Sequence, residues 1–411
     1  MSEAITNQKT SIRYLIQLSL VVLILLGSVV CVNVHFDPFF FFRAPSISQD
    51  IHHNPLFRQQ IRTLKANQIR HTRPCGIILG TSRTEYGLDP AHSAWGCDSV
   101  YSIAVPSSNI YEVYRLFQHV EHIYPQTPAL LALDFFMFNL TTNSDSADFI
   151  ESNLAVDVDG NAQSMWSADF FKKITSQDVL FWSLNTALHP ESDQPYRRNG
   201  YRDPSYKERD FYAGSGHRVA FQESEASFYK TFADFKFKNE ERDNLQIYRQ
   251  LIELAYRKGI ELRLIISPVH VRQIEVIATA GVYDLWEEWK RQMLSINLDV
   301  AQSMGKEPYT LWDFSGYYPY TQEGIPLAGD DKTRMTWFWE SSHYKKGLGD
   351  IVLSHVLSHQ DSEQTIDKDF GVVLTPDNIV EHLNELHKGR LQWREEHPQD
   401  VSEIQALIED L

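Results

Sequence analysis

The sequence predicts an α/β fold built on a parallel sheet. Three observations carry that prediction: short apolar, β-branched runs of strand length, amphipathic helical stretches between them, and turn residues at the carboxyl ends of the runs. The 411 residues suffice for one large α/β domain with extensions.

The first element is an anchor. No charged residue occurs from Tyr14 to Val34, and Leu18 to Leu26 is almost continuously aliphatic. As a helix these 21 residues rise about 32 Å, close to the roughly 30 Å hydrocarbon thickness of a bilayer. Lys9 and Arg13 precede the run, which favours a cytoplasmic N-terminus. A buried core helix would show an amphipathic face. A cleaved signal peptide is the other reading, but "LGSVVCVNVHFDP" has no small-x-small site and Cys31 lacks a lipoprotein context. Residues 1–43 are therefore expected to form a cytoplasmic stub and transmembrane helix, with "DPFFFFRAP" at the outer interface.

The α/β domain is expected over 44–360. A helix is read around Pro55 to Asn67, followed by strands in "GIILG" and "VYSIAVP". "NIYEVYRLFQHVEHIY" spaces Ile110, Val113, Leu116, Phe117 and Val120 on one helical face. "ALLALDFFMF" is the third strand. "DNLQIYRQLIELAYRKG" is a helix closed by Gly259, leading into a fourth strand in "IELRLIISPVH". A helix from Tyr283 to Ser303 precedes the fifth strand in "YTLWDFSGY". The pattern lapses over about 140–235, which reads as a long insertion at the carboxyl edge of the sheet, with a helix at Ser167 to Ile174. Residues 361–411 read as a helical extension, with Thr375 as N-cap and Pro376 at the first helical position.

Composition narrows the function. Net charge is −16 without a long basic block, which argues against nucleic acid as a partner. No Cys, His and carboxylate grouping has metal-ligand spacing, the His52–His53 pair included, so neither metal nor cofactor is expected. Cys75 and Cys97 each precede an apolar run. On neighbouring parallel strands about 4.8 Å apart their backbones would come within disulfide range, which an oxidising compartment permits. Two buried free thiols are the alternative.

"IILGTSRTEYGLDP" places Ser82 where an apolar run turns. Serine is common in turns, and as a nucleophile it needs a base held by a third group. "TWFWESSHYKKGLGDIVLSHVL" offers both, since in a helical turn Glu340 and His343 would share one face. In "SPVHVRQ", His270 and Arg272 follow the fourth strand on the ligand-binding edge of an open sheet, as substrate contacts or as loop structure. Arg83 would bind an anionic substrate or cap the turn.

"GTSR" and "ESSH", about 260 residues apart, together resemble the SGNH/GDSL hydrolase superfamily over roughly Gly76 to Leu357. The resemblance is closest to membrane-anchored envelope branches, such as alginate O-acetylation and lipoteichoic-acid D-alanylation proteins. It implies a three-layer, flavodoxin-like parallel sheet and a triad of Ser82 as nucleophile, His343 as base and Glu340 as acid. It further implies an oxyanion site at the backbone of Ser82 and of Ser107, which stands where the family has glycine. The third block has Asp134 where the family has asparagine. Asp134 would be protonated, or Asn139 would replace it as donor, or Asp134 would organise the loop. The function implied is a serine esterase or O-acyltransferase on acyl groups, acetyl above all, of an envelope polysaccharide. The implied location is periplasmic, on a bacterial-type inner membrane, with a membrane acyl-transfer protein as further partner. A non-catalytic glycan-binding or assembly protein on the same fold is the alternative.

Overall fold

The structure, a computed structural model, describes residues 2–42, 59–140, 146, 148–188, 196–205, 208, 216–330, 332–357, 369–409 and 411. Its centre is one six-stranded sheet. The strands are β1 (Gly76–Leu79), β2 (Val100–Ser102), β3 (Ala129–Leu133), β4 (Leu262–Ile266), β5 (Leu311–Asp313) and β6 (Val372–Val373), in the order β2-β1-β3-β4-β5-β6. The first five run parallel, and β6 pairs antiparallel with β5. The sheet is therefore mixed rather than purely parallel. The sixth strand comes from the segment expected to be wholly helical, and a two-residue strand carries no alternating pattern to reveal it.

The helices are α1 (Ser2–Phe36), α2 (Ile61–Ile69), α3 (Ser82–Gly87), α4 (Ile110–Ile123), α5 (Ala168–Ile174), α6 (Gln177–Leu188) and α7 (Gly216–Phe232), followed by α8 (Asn244–Lys258), α9 (Val271–Thr279), α10 (Tyr283–Met304), α11 (Lys346–Leu357), α12 (Ile379–Glu396) and α13 (Pro398–Glu409). Side chains alternate across a strand, and that alternation sorts the sheet into two cores. Ile77, Leu79, Leu131, Leu133, Leu264 and Ile266 pack with α4, α8 and α10. Ile78, Leu130, Ala132 and Ile265 face the other way, against α11 and Phe221 of α7. Burying each of these leucine and isoleucine side chains stabilises by about 1.5–3 kcal/mol.

Local signals set several helix ends. Asn109 caps α4 by accepting from the Glu112 N–H at 2.8 Å, and Asp243 caps α8 through the N–H groups of Leu245 and Gln246. Gly259 closes α8 in the left-handed conformation. Near the C-terminus the expected start at Thr375 is displaced. Thr375 and Asn378 bond reciprocally in a turn, and α12 begins at Ile379.

The C-terminal helices share the main core through Leu383, Leu386, Trp393, Val401 and Ile404. Buried ion pairs on α9 fasten them. Arg272 meets Glu225 of α7 at 2.6 and 2.7 Å, and Asp400 and Glu403 of α13 at 2.7 and 2.8 Å. Glu275 meets Arg390 and Arg394 of α12.

Helix α1 is long and apolar enough over Thr10–Phe36 to cross a membrane. The following aromatics do not all face outward: Phe39 and Phe41 are each 5 % exposed, in a small core with Ile61, Leu64 and Phe170. Asp37 folds them there by accepting from the N–H groups of Phe41 and Phe42 at 2.8 and 2.7 Å.

Three buried histidines are held neutral by backbone groups. His119 donates to Ala66 O and accepts from Ala155 N–H, both at 2.7 Å. His270 donates to Glu323 O and accepts from Arg272 N–H, at 2.8 and 3.3 Å. His217 donates to Trp339 O and accepts from Met335 N–H, at 3.0 and 3.2 Å. A second ring proton would meet a backbone N–H in each case. Burial pushes His119 and His270 down to about 3 and His217 to about 4, from 6.5.

Cys75 and Cys97 form a disulfide across the amino ends of β1 and β2, with Cα atoms 6.6 Å apart and a separation of 22 positions in sequence. A loop of that length predicts a loss of about 3 kcal/mol in the Cys75→Ala/Cys97→Ala variant, read from urea unfolding. Acid should destabilise the fold as well. The unfolded chain takes up a proton at each histidine near pH 6.5, while the folded chain holds His119 and His270 neutral until about 3. Below pH 6.5 each should cost about 1.4 kcal/mol per pH unit, which urea midpoints between pH 7 and 4 would record.

Candidate active site

The turn after β1 is built around a helix start. Thr81 caps α3 by accepting from Arg83 N–H at 3.2 Å, and Ser82 becomes the first helical residue, partly exposed. At that position its own N–H has no carbonyl four residues back within the helix to bond. Strand β1 thus delivers a hydroxyl and an unspent amide to the carboxyl edge of the sheet.

The "ESSH" segment reaches the same edge, though not as the helical turn its spacing predicts. Phe338 and Tyr344 pair antiparallel, and Trp339 N–H donates to His343 O at 2.9 Å. Between them the chain doubles back tightly. The Glu340 carboxylate sits inside this turn, accepting from the N–H groups of Ser342 and His343 at 2.7 and 3.2 Å. It also accepts from His343 Nδ1. That assigns the proton to Nδ1 and leaves Nε2 as the acceptor for the Ser82 hydroxyl, 2.8 Å away. The Tyr86 ring stands edge-on to the imidazole, with centroids 5.4 Å apart.

Close approach of two backbones places the halves together. A Cβ on Gly349 of α11 would lie 1.8 Å from the Gly87 carbonyl at the end of α3, and one on Gly87 would lie 1.8 Å from the Tyr344 ring. Only glycine at both positions lets α11 and the turn before it approach α3 this closely.

Beneath the serine, Arg83 is 4 % exposed and joins three segments. Its guanidinium donates to Asp134 at the end of β3 and to Ser342 Oγ in the turn, both at 2.9 Å, and lies 5.1 Å from the Phe136 ring. Asp134 also accepts from Thr81 Oγ1–H at 2.6 Å. Both of its oxygens therefore organise the turn, and the expectation of an oxyanion donor at Asp134 is replaced by that role. Arg83 as a substrate contact is corrected likewise, because its guanidinium is occupied inside the protein.

Asn139 does not take up the donor role. It is fully buried, gives its amide to Thr231 O at 2.6 Å and accepts from Lys236 N–H at 3.2 Å, fastening the insertion instead. His270 and Arg272 are also structural, for they are 2 % and 0 % exposed and spent on backbone and carboxylate partners. Ser107 follows β2 in a turn. It is exposed, with φ of +53°, a left-handed conformation that favours glycine and costs a serine about 1–2 kcal/mol. Its neighbours hold the turn: Ser108 Oγ donates to Gly80 O at 3.0 Å and Arg62 to Pro106 O at 2.6 Å.

Sequence reasoning missed the support behind α3. Lys65 and Glu85, both fully buried, pair at 2.8 Å, and burial pushes the Lys65 ammonium down despite that carboxylate. The insertion closes over them, with Tyr201 O–H donating to Tyr86 O at 2.9 Å and the Arg202 guanidinium 4.4 Å from the Tyr86 ring. Nothing in the periodicity of α2 marks Arg62 and Lys65 as buried.

His52 and His53 lie outside the described residues. Among the described residues no group of three His, Cys, Asp or Glu side chains is placed to hold a metal ion. Comparison with protein-family models, curated proteins and solved structures returns no match.

Gly349→Ala should separate α11 from α3 and lengthen the Ser82–His343 contact. The expected outcome is a fall of tenfold or more (about 1.4 kcal/mol or more) in labelling of Ser82 by a fluorophosphonate probe. The circular dichroism spectrum should keep its α/β shape.

Proposed function

We propose that this chain is a serine esterase or O-acyltransferase acting on acyl groups, acetyl above all, of an envelope polysaccharide. In this reading α1 crosses the cytoplasmic membrane and the SGNH-like domain stands outside it. The observation that carries the chemistry is the unbroken relay from Ser82 Oγ to His343 Nε2, and from His343 Nδ1 to Glu340. The polymer substrate and the location rest on the resemblance of "GTSR" and "ESSH" to the family blocks and on the apolar length of α1.

Ser82 Oγ attacks the acyl carbonyl while His343 Nε2 takes the hydroxyl proton. Glu340 holds the ring and stabilises the imidazolium as it forms. The oxyanion is received by the N–H groups of Ser82 and Ser107, donors that would offset the negative charge as it develops. His343 returns its proton to the departing sugar oxygen, leaving an acyl ester on Ser82. Water or a second sugar hydroxyl, deprotonated by His343, then attacks that ester; the C–Oγ bond breaks, His343 returns the proton to Ser82 Oγ, and the acyl group leaves as free acid or as the new sugar ester. Asp134 and Arg83 take no proton in this scheme; they hold the turn.

Ser82→Ala in the purified full chain should abolish fluorophosphonate labelling and lower the hydrolysis of aryl acetates by about a thousandfold or more. Glu340→Gln should cost about a hundredfold or more, because the ring loses its carboxylate partner. Equal labelling of Ser82→Ala and the parent protein would sink the proposal and favour the glycan-binding alternative.

A further inference from the structure

The insertion carries an uncharged, outward-facing stretch beside the end of the apolar helix. About 20 helical residues span the roughly 30 Å of hydrocarbon, which counted from Arg13 brings α1 to Asn33. Helix α1 is exposed from Thr10 through Ser28 and becomes partly covered at Val29 and Val30. Helix α6 packs along this end. Asn33, 3 % exposed, donates to Ile174 O and Ser176 O at 3.0 and 3.1 Å and accepts from Ser183 Oγ at 3.1 Å. An amide left unsatisfied at lipid depth would cost several kcal/mol. The insertion therefore supplies the polar partners that this position needs.

From Val179 to Leu188 no residue of α6 is charged. Phe181, Leu184 and Leu188 follow the spacing i, i+3, i+7 on one face and are 62 %, 45 % and 74 % exposed. Trp166 and Phe171 are exposed nearby, with Trp166 packed edge-on against Phe170 at 4.8 Å. Lys172, also exposed, ends α5 with a cation.

We propose that α5 and α6 form a second membrane contact, with the outer leaflet of the bilayer as its occupant. Phe181, Leu184 and Leu188 enter the acyl-chain boundary, Trp166 and Phe171 sit at headgroup level, and Lys172 meets lipid phosphate. Continuity chooses lipid over another protein, because α6 packs on α1 beside the exposed apolar stretch that ends at Ser28. The inference goes beyond the esterase chemistry and rests only on the reading of α1 as a membrane-spanning anchor. Two contacts, unlike one, fix the tilt of the domain and hold Ser82 at a set height above the membrane.

The test uses the full chain with Cys31→Ser, purified into discs of phosphatidylethanolamine and phosphatidylglycerol. A nitroxide is attached in turn through Leu184→Cys, Leu188→Cys, Leu23→Cys on α1 and Val380→Cys on α12. The expected result is a shift at Leu184 and Leu188 toward oxygen over a water-soluble nickel chelate, matching Leu23 and opposite to Val380. Labels at Leu184 and Leu188 that behave like Val380, while Leu23 remains in lipid, overturn the second contact alone. A Leu23 label in water overturns the anchor together with it. Protection from both reagents would mean that protein covers the face, and also rejects the proposal.

Discussion

The site is organised around one buried cation. Arg83 neighbours Ser82 in sequence, yet its guanidinium points inward to Asp134 at the end of β3 and to Ser342 in the histidine-bearing turn. Three segments that meet nowhere else in sequence are thereby referred to a single group. A buried charge without its partner costs about 3–5 kcal/mol, so the pairing restrains all three at once. Thr81 extends the same arrangement, capping α3 while donating to Asp134. The geometry of Ser82 thus depends on a carboxylate that never touches it.

Backbone contact completes what Arg83 begins. Gly87 and Gly349 bring α3 and α11 within a distance that any side chain would block. Glu340 is fixed by the N–H groups of its own turn before it meets His343. The ring is therefore oriented by a carboxylate that its own turn holds in place. Around this centre, polar groups face inward in unusual number: Lys65 with Glu85, Arg272 with Glu225, and Lys290 with Asp313. Burial alone would raise the Asp313 carboxyl, but Lys290 and His382 outweigh it and hold it well below its ordinary range. Two of these pairs join helix to helix and the third joins α10 to β5, so charge as well as apolar packing binds the elements together.

Much of this was legible in the residues. The five parallel strands lie in the runs expected of them, and α4, α8 and α10 follow the helical apolar spacing, because period and turn chemistry are local properties. "ESSH" was legible as a carboxylate near a histidine, but its shape was not. Spacing of three fits a helical turn, whereas the pairing of Phe338 with Tyr344 makes a reversal. Phe39 and Phe41 read as interfacial aromatics and are core residues, since Asp37 turns the chain back upon α2 and α5. Arg83, His270, Arg272 and Asn139 show the same limit. A polar residue at the ligand-binding edge reads as available, and only its partners decide whether it is.

The sequence by itself determined the α/β class, the apolar length of α1 and the chemical kinds present at the carboxyl edge: a serine after β1, a carboxylate and an imidazole near the end of the domain. These follow from periodicity, hydropathy and side-chain chemistry, all of which act within a few residues. The tertiary structure alone decided that Ser82 and His343 meet at 2.8 Å, that Arg83 and Asp134 face each other, and that α6 lies along α1. Those outcomes depend on packing between segments up to 261 positions apart, where no local preference reaches. Buried charge and backbone clearance set them instead.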